Sequence, residues 1–316
     1  MTTTNLSFLS KDGKTTIHAV KWTKDGQTPK AILQISHGMI EYIERYEEFA
    51  NFLTEQGFMV VGHDHLGHGQ SVLSQEDWGY FADENSGDIL VEDIHTLRTM
   101  IQKEYPDIPY YMLGHSMGSY LLRKYLLKHH DNLRGAIISG TGFETQAKTK
   151  MGLFVIKATA FFHKNNWRYR SQFVADATFG GKAYKGYDSK GKDLEKSWLS
   201  KNIENLKEYF SNPACTFIFT LNGYRTLLET VLTVCNPEKI VTMSKKLPVL
   251  FVAGKDDPVG NLGAGVIKTY DMFKDFGVSD VTYQIYDNAR HEILNEPERL
   301  KYYDDILSWM NVRIDT

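Results

Sequence analysis

Six short apolar runs rich in β-branched residues recur along the chain, at Ala31 to Ser36, Phe58 to Gly62, Tyr110 to Leu113, Ala136 to Ser139, Val249 to Ala253 and Val281 to Tyr286. Between most of them lie stretches with helical period: Glu41 to Gln56, Ile89 to Glu104 with Leu90, Ile94, Leu97 and Ile101 on one face, and Ser119 to His129. A strand that is apolar without alternation is covered on both faces, and parallel strands need a crossover element to join them. The pattern predicts an α/β fold, a mostly parallel sheet with helices on both faces. Ahead of it, Leu6 to Ser10 and Thr15 to Trp22 read as an antiparallel hairpin turning at Asp12-Gly13.

The alternation stops between about Thr141 and Cys235, a stretch that looks mainly helical and includes a loose Gly/Lys-rich piece, Gly180 to Asp193. An insertion of roughly 95 residues between two strands is far longer than an ordinary connection, so it is read as a cap or lid with its own helices. The expected organisation is a core of residues 1–140 and 237–316 interrupted by a helical cap at 141–236.

Composition narrows the function classes. With 42% hydrophobic and 24% charged residues the chain is a folded globular protein. Its 36 basic and 39 acidic residues sum to −3, which offers no electrostatic footprint for nucleic acid. The longest stretch without a formal charge, Tyr209 to Tyr224, is too short and too polar to span a bilayer, and the N-terminus lacks a secretory pattern. Cys215 and Cys235 cannot build a disulfide framework, so the expected setting is reducing and cytoplasmic.

The strongest chemical signal is Gly114-His115-Ser116-Met117-Gly118, between an expected strand and an expected helix. A nucleophile on such a turn sits in strained backbone and needs small residues two before and two after it. A serine hydroxyl needs a base, and the base needs a carboxylate to orient it. Four histidines follow Ser116: His129, His130, His163 and His291. The first two suit a helix C-terminus and the third a solvated cap face. His291 follows the last strand by a short loop, the place for the base. For the acid, Asp256 and Asp257 both sit just beyond the run ending at Ala253, and the residues alone leave the pair open.

These pieces resemble the α/β-hydrolases, and within them the monoacylglycerol lipase, lysophospholipase and serine aminopeptidase-like branch. The matching segments are His37-Gly38-Met39 with Glu41-Tyr42 and Arg45-Tyr46, Asp64 to Ser71, the Gly114 to Gly118 turn, Gly254 to Val259, and Asn288 to Glu292. Ser197 to Ser200 and Phe219 to Tyr224 also look like the cap of bacterial lysophospholipase-like members. The resemblance implies Asp257, three residues after Gly254, as the acid, and the backbone N–H groups of Met39 and Met117 as oxyanion donors. It implies carboxylic ester hydrolysis through an acyl-serine, with a small-molecule ester bearing an acyl chain as substrate and no metal or organic cofactor. Medium-chain monoesters, monoacylglycerol-like or lysophospholipid-like, are the expected substrates. An aminopeptidase using the same groups on amides, with Glu144, Asp176 or Glu195 receiving a free amine, is the rival; a hydrolase-like binding protein with little turnover is the second.

Three further signals are weaker. His63, His65 and His68 imitate part of a metallohydrolase cluster, but Gly67 stands where its aspartate belongs. Gly260, Gly263 and Gly265 lack the register of a nucleotide loop. Lys148 to Lys164 reads as a helix packed on the core with a lysine edge at Lys150, Lys157 and Lys164, or as a lid face that lines an acyl pocket or touches lipid transiently.

Overall fold

The computed structural model describes residues 1–314. The elements run β1 (Thr2–Leu9), β2 (Thr16–Thr23), β3 (Ala31–Ser36), α1 (Glu47–Glu55), β4 (Phe58–His63), α2 (Ser86–Glu104), β5 (Tyr110–His115), α3 (Met117–Leu126) and β6 (Gly135–Ser139). They continue as α4 (Gln146–Phe162), α5 (Gln172–Thr178), α6 (Ile203–Ser211), α7 (Leu221–Val234), β7 (Val249–Gly254), α8 (Ala264–Phe276), β8 (Val281–Tyr286) and α9 (Arg299–Asn311). The eight strands form one sheet in the order β1-β2-β4-β3-β5-β6-β7-β8. Pairing is antiparallel from β1 to β2 and from β2 to β4, and parallel across every other neighbouring pair.

Successive residues of each strand feed opposite layers, as a side-chain period of two requires. Leu33 and Ile35 of β3 pack with Phe49 and Leu53 of α1 and Tyr303 and Ile306 of α9. Ile32 packs on the other face with Leu97 of α2, Leu121 of α3 and Phe273 of α8. The expected doubly covered, mostly parallel sheet is what the chain forms. Because β3 has β4 on one side and β5 on the other, the chain leaves it in both directions, and the carboxyl ends of β3 and β5 flank the switch point where such sheets bind ligands.

Several boundaries differ from the sequence reading. β1 begins at Thr2, with half-buried residues alternating with exposed ones. The helix expected from Glu41 begins as a 3-10 turn at Ile43–Tyr46 and becomes α1 at Glu47, because Asp64 Oδ1 accepts the Ile43 N–H and Glu41 is drawn back to the Gly38 N–H. α3 ends at Leu126, short of His129; His130 Nδ1 lies 3.1 Å from the Leu126 carbonyl, and His129 stacks on His95. β8 is an edge strand paired with β7 alone, and Thr282, Tyr283 and Gln284 are exposed.

Between β6 and β7 the described residues form helices and loops plus one isolated bridge, Asp188 to Ser197. The four α-helices here each start at a side-chain N-cap: Thr145, Ser171, Asn202 and Thr220 accept N–H groups of Lys148, Val174, Asn205 and Gly223. Such caps satisfy first-turn donors locally and suit helices that lean on little else. α4 departs from the expected packing: Leu153 and Ile156 are buried, but Met151, Phe154, Phe161 and Phe162 are exposed, the last two by 71% and 81%. Lys150, Lys157 and Lys164 are exposed beside them, as is His163. Among the described residues no helix is long and apolar enough to cross a membrane.

Candidate active site

Ser116 is the single residue between β5 and α3, with φ 51° and ψ −119°. A non-glycine residue with positive φ costs energy unless its surroundings fix it. Here the Ser116 N–H donates to Ser139 O of β6 at 3.0 Å, and Ser119 N–H and Oγ–H both close on Ser116 O. The turn is tight enough that a side chain at Gly118 would strike the Ser36 and His37 carbonyls of the neighbouring strand end, and one at Gly114 would strike Gly118 O. Both flanking glycines are thus steric necessities, and the turn lifts Ser116, half-buried, into a cavity.

That cavity has a volume of about 820 Å³ and is lined on the core side by Met39, Ser116, Met117 and His291. Residues of the insertion, including Ile156, Val174 and Leu228, line it on the other side. Met117 opens α3, so its N–H is among the first-turn amides without a helical acceptor. Met39 lies in the loop after β3, where a Cβ built on Gly38 would stand 3.1 Å from Ser116 Cβ. His291 Nδ1 lies 3.0 Å from Asp257 Oδ2, and both side chains are almost fully buried. Asp257 Oδ1 accepts the Val259 N–H at 2.8 Å, which fixes the carboxylate from behind. Asp256 turns outward to Lys201 Nζ at 2.9 Å. The geometry therefore separates the two aspartates that the residues alone left open.

Beneath these groups is a buried charge network whose role the sequence alone does not reveal. Arg45 donates to Glu41 Oε2 and to both oxygens of Glu292, each at 2.8 Å, and to Asn205 Oδ1 of α6. Glu41 Oε1 accepts the Gly38 N–H and the Tyr46 O–H and lies 3.2 Å from His115 Nδ1. Burial opposes charge on Glu41, but the His115 hydrogen bond and the Arg45 guanidinium outweigh it and hold the carboxyl at about 2. For His115, burial pulls downward while Glu41 prevails and raises it; Glu292 is lowered against its own burial by Arg45. The i,i+4 spacing of Glu41 and Arg45 was the available signal; His115, Asn205 and Glu292 come from distant segments.

His63, His65 and His68 are fully buried, and burial drives all three below the usual histidine range, His65 to about 4 and His68 to about 3. They pack ring to ring and do not bring ligand atoms together. Among the described residues the group that does is His18, Glu44 and Asp64, already engaged: His18 Nε2 meets Glu44 Oε1 at 2.8 Å, and Asp64 accepts the Ile43 and Gln70 N–H groups. Asp64 so braces the two loops that flank the site.

Residues 27–298 match the profile of the family described as serine aminopeptidase, S33. The chain is 40% identical to monoglyceride lipase of Mus musculus over 98 residues, which is 31% of this chain and 30% of that protein's length. It is 24% identical to a monoacylglycerol lipase of Mycolicibacterium smegmatis across 96% of this chain and 95% of that protein. The solved structure of a thermostable carboxyl esterase from Bacillus coagulans in complex with glycerol superposes with a TM-score of 0.86 at 28% identity, covering 99% of both chains. The chain belongs to the serine aminopeptidase, S33 family and has the α/β-hydrolase fold.

Proposed function

We propose that the protein hydrolyses carboxylic monoesters through an acyl-serine intermediate, with residues 141–236 acting as a cap over the site. The observation that carries this reading is a serine on a strained turn opening into the same cavity as a buried His291–Asp257 pair. With Nδ1 engaged by Asp257, Nε2 is the nitrogen available to Ser116. Ser116 Oγ attacks the carbonyl carbon as His291 takes its proton, and the Met39 and Met117 N–H groups hold the negative oxygen. Collapse breaks the ester C–O bond, and His291 returns the proton to the departing alcohol. Water, deprotonated by His291, then releases the acid from Ser116. The chemistry draws on side chains, backbone and water alone.

The names monoglyceride lipase and monoacylglycerol lipase borne by relatives, and a cavity whose cap side presents Ile156, Val174 and Leu228, support a monoacyl substrate. The amide rival needs an unengaged carboxylate for a free amine. The carboxylates lining the cavity are Glu41, Glu144 and Glu292; Arg45 engages the first and third, and Lys148 Nζ lies 2.6 Å from the second. Asp176, which pairs with Lys190, and Glu195 are not among the lining residues. We assign the exposed Phe161 and Phe162, with the lysine edge beside them, to transient contact with lipid or micelle surfaces that present the substrate. The deciding experiment is a rate profile over aryl esters of increasing acyl length beside aminoacyl arylamides. Arylamide turnover exceeding ester turnover would transfer the assignment to an aminopeptidase.

A further inference from the structure

The loop that carries His291 is held from outside the core. A run of the insertion, Ser197 to Lys201, lies along Arg290 to Glu292 and accepts backbone bonds from it: the His291 N–H donates to Trp198 O and the Glu292 N–H to Leu199 O at 2.7 Å. The Arg290 guanidinium gathers the carbonyls of Glu195, Ser197 and Ser200. Glu296 grips both segments, one oxygen accepting the Arg290 N–H at 2.6 Å and the other the Lys201 N–H and the Ser200 O–H. The same run reaches the acid loop, where Lys201 meets Asp256 and the Tyr187 hydroxyl donates to the Asp256 carbonyl.

Within this strap the Trp198 ring lies 4.9 Å from the His291 imidazole, centroid to centroid, tilted by 40°. Trp198 is itself buried among Phe179 and Tyr184, which line the cavity with it. One hydrogen bond to Asp257 sets the direction of Nδ1, and because the terminal torsion of histidine is broad, rocking about that axis is limited only by what packs on the ring, His115 at 4.7 Å and Trp198. A flat hydrophobic face against the imidazole removes that freedom.

We propose that Trp198 is a positioning residue for His291 and that the Ser197 to Lys201 strap mechanically couples the insertion to the acid–base step; this rests on the reading of Ser116, His291 and Asp257 given above. A displacement of about 1 Å in a reacting group costs up to about 10²-fold, so Trp198→Ala lowers kcat on a short aryl ester by roughly 10- to 100-fold with KM little changed. Trp198→Phe, which keeps an aromatic face, restores most of the loss. Glu296→Gln, which loosens the strap without touching the cavity, gives a milder version of the same kcat effect and carries the test if Trp198→Ala does not fold.

The readout that a merely structural role would leave unmoved is the His291 Nδ1 proton, followed by low-field proton NMR, together with the pH profile of kcat/KM. In folded Trp198→Ala the proton signal broadens and the acid limb shifts, and Trp198→Phe returns both. Wild-type kcat and an intact proton signal in both folded Trp198→Ala and Glu296→Gln would overturn the inference. His291→Ala run alongside separates the two layers: wild-type turnover there removes the triad reading, whereas an inactive His291→Ala beside a fully active Trp198→Ala removes only the strap.

Discussion

Asp257 places its Oδ2 3.0 Å from Nδ1 of His291, while its neighbour Asp256 faces the other way toward Lys201. Adjacent side chains on a turn cannot both address one imidazole. Asp257→Asn is expected to lower kcat on aryl esters by about 10⁴-fold, as loss of a triad acid does elsewhere, and Asp256→Asn by no more than a few-fold. Steady-state kinetics on both variants checks the assignment, and a larger loss in Asp256→Asn would reverse it.

Ser116→Ala should abolish ester turnover by several orders of magnitude and eliminate labelling by a fluorophosphonate, with circular dichroism unchanged. The fold survives because the turn is fixed by the backbone N–H to Ser139 O and by the flanking glycines, none of which uses the Ser116 hydroxyl. Labelling of the variant at the wild-type rate would place the nucleophile elsewhere.

A cavity of about 820 Å³ to which the segment between β6 and β7 contributes Ile156, Val174 and Leu228 sets the third expectation. Each buried CH₂ is worth about 0.8 kcal/mol, close to fourfold in kcat/KM if it is realised in the transition state. Rates on p-nitrophenyl esters should therefore climb from acetyl to medium chains and level off where the pocket ends. A maximum at acetate would mark a short-chain esterase.

The Glu41 network predicts a pH dependence of stability. Glu41 titrates at about 2 when folded against 4.5 when free, so its contribution is present above 4.5 and is lost as pH falls toward 2. The displacement corresponds to about 3 kcal/mol, shared with Arg45 and His115. His115 is displaced upward and acts in the opposite sense, stabilising below 6.5 and losing that contribution as pH rises through its folded value. Urea melts of wild type and Glu41→Gln between pH 2 and 8 should show a lower plateau and a flatter acid limb in the variant. Parallel curves would mean that Glu41 is not charged in the fold.

Phe161→Ser combined with Phe162→Ser should weaken co-sedimentation with mixed phosphatidylcholine and phosphatidylglycerol vesicles by roughly tenfold or more, since each exposed ring can bury an apolar area worth about 1.5–3 kcal/mol. Turnover of dissolved esters should stay at the wild-type level. Equal vesicle binding by variant and wild type would confine α4 to lining the pocket.

The sheet was legible because its physical cause is written locally: unbroken apolar runs mark strands covered on both faces, and Gly114 and Gly118 mark a turn with no room for side chains. Asp257 was not separable from Asp256 by residue type, because Lys201, a partner 55 positions away, decides which carboxylate turns outward. The sequence leaves the covered face of α4 between two readings for a related reason. Seven large apolar residues within Lys148 to Lys164 look like core, but only the helix's tertiary neighbours, chiefly α7, determine which of them are covered. The start of α1 was misplaced because Glu41 and Asp64 spend their carboxylates on loop amides instead of extending the helix.

The register of β3 on β5 pairs Ser36 with Gly114, residues far apart in sequence. Everything beyond those two positions, the Met39 loop on one strand and Ser116 on the other, inherits its spacing from that one alignment. A slip by a single residue would move one loop past the other by about 3.3 Å and turn its side chains to the opposite face. No fragment ending before β5 can assemble the pair, and a chain that collapses with the strands misaligned is inert however compact it is. On the proposed function, regain of turnover during refolding requires the β3–β5 ladder to have closed in register, together with the loops after β7 and β8 that bring Asp257 to His291, and so reports alignment rather than burial of apolar surface alone.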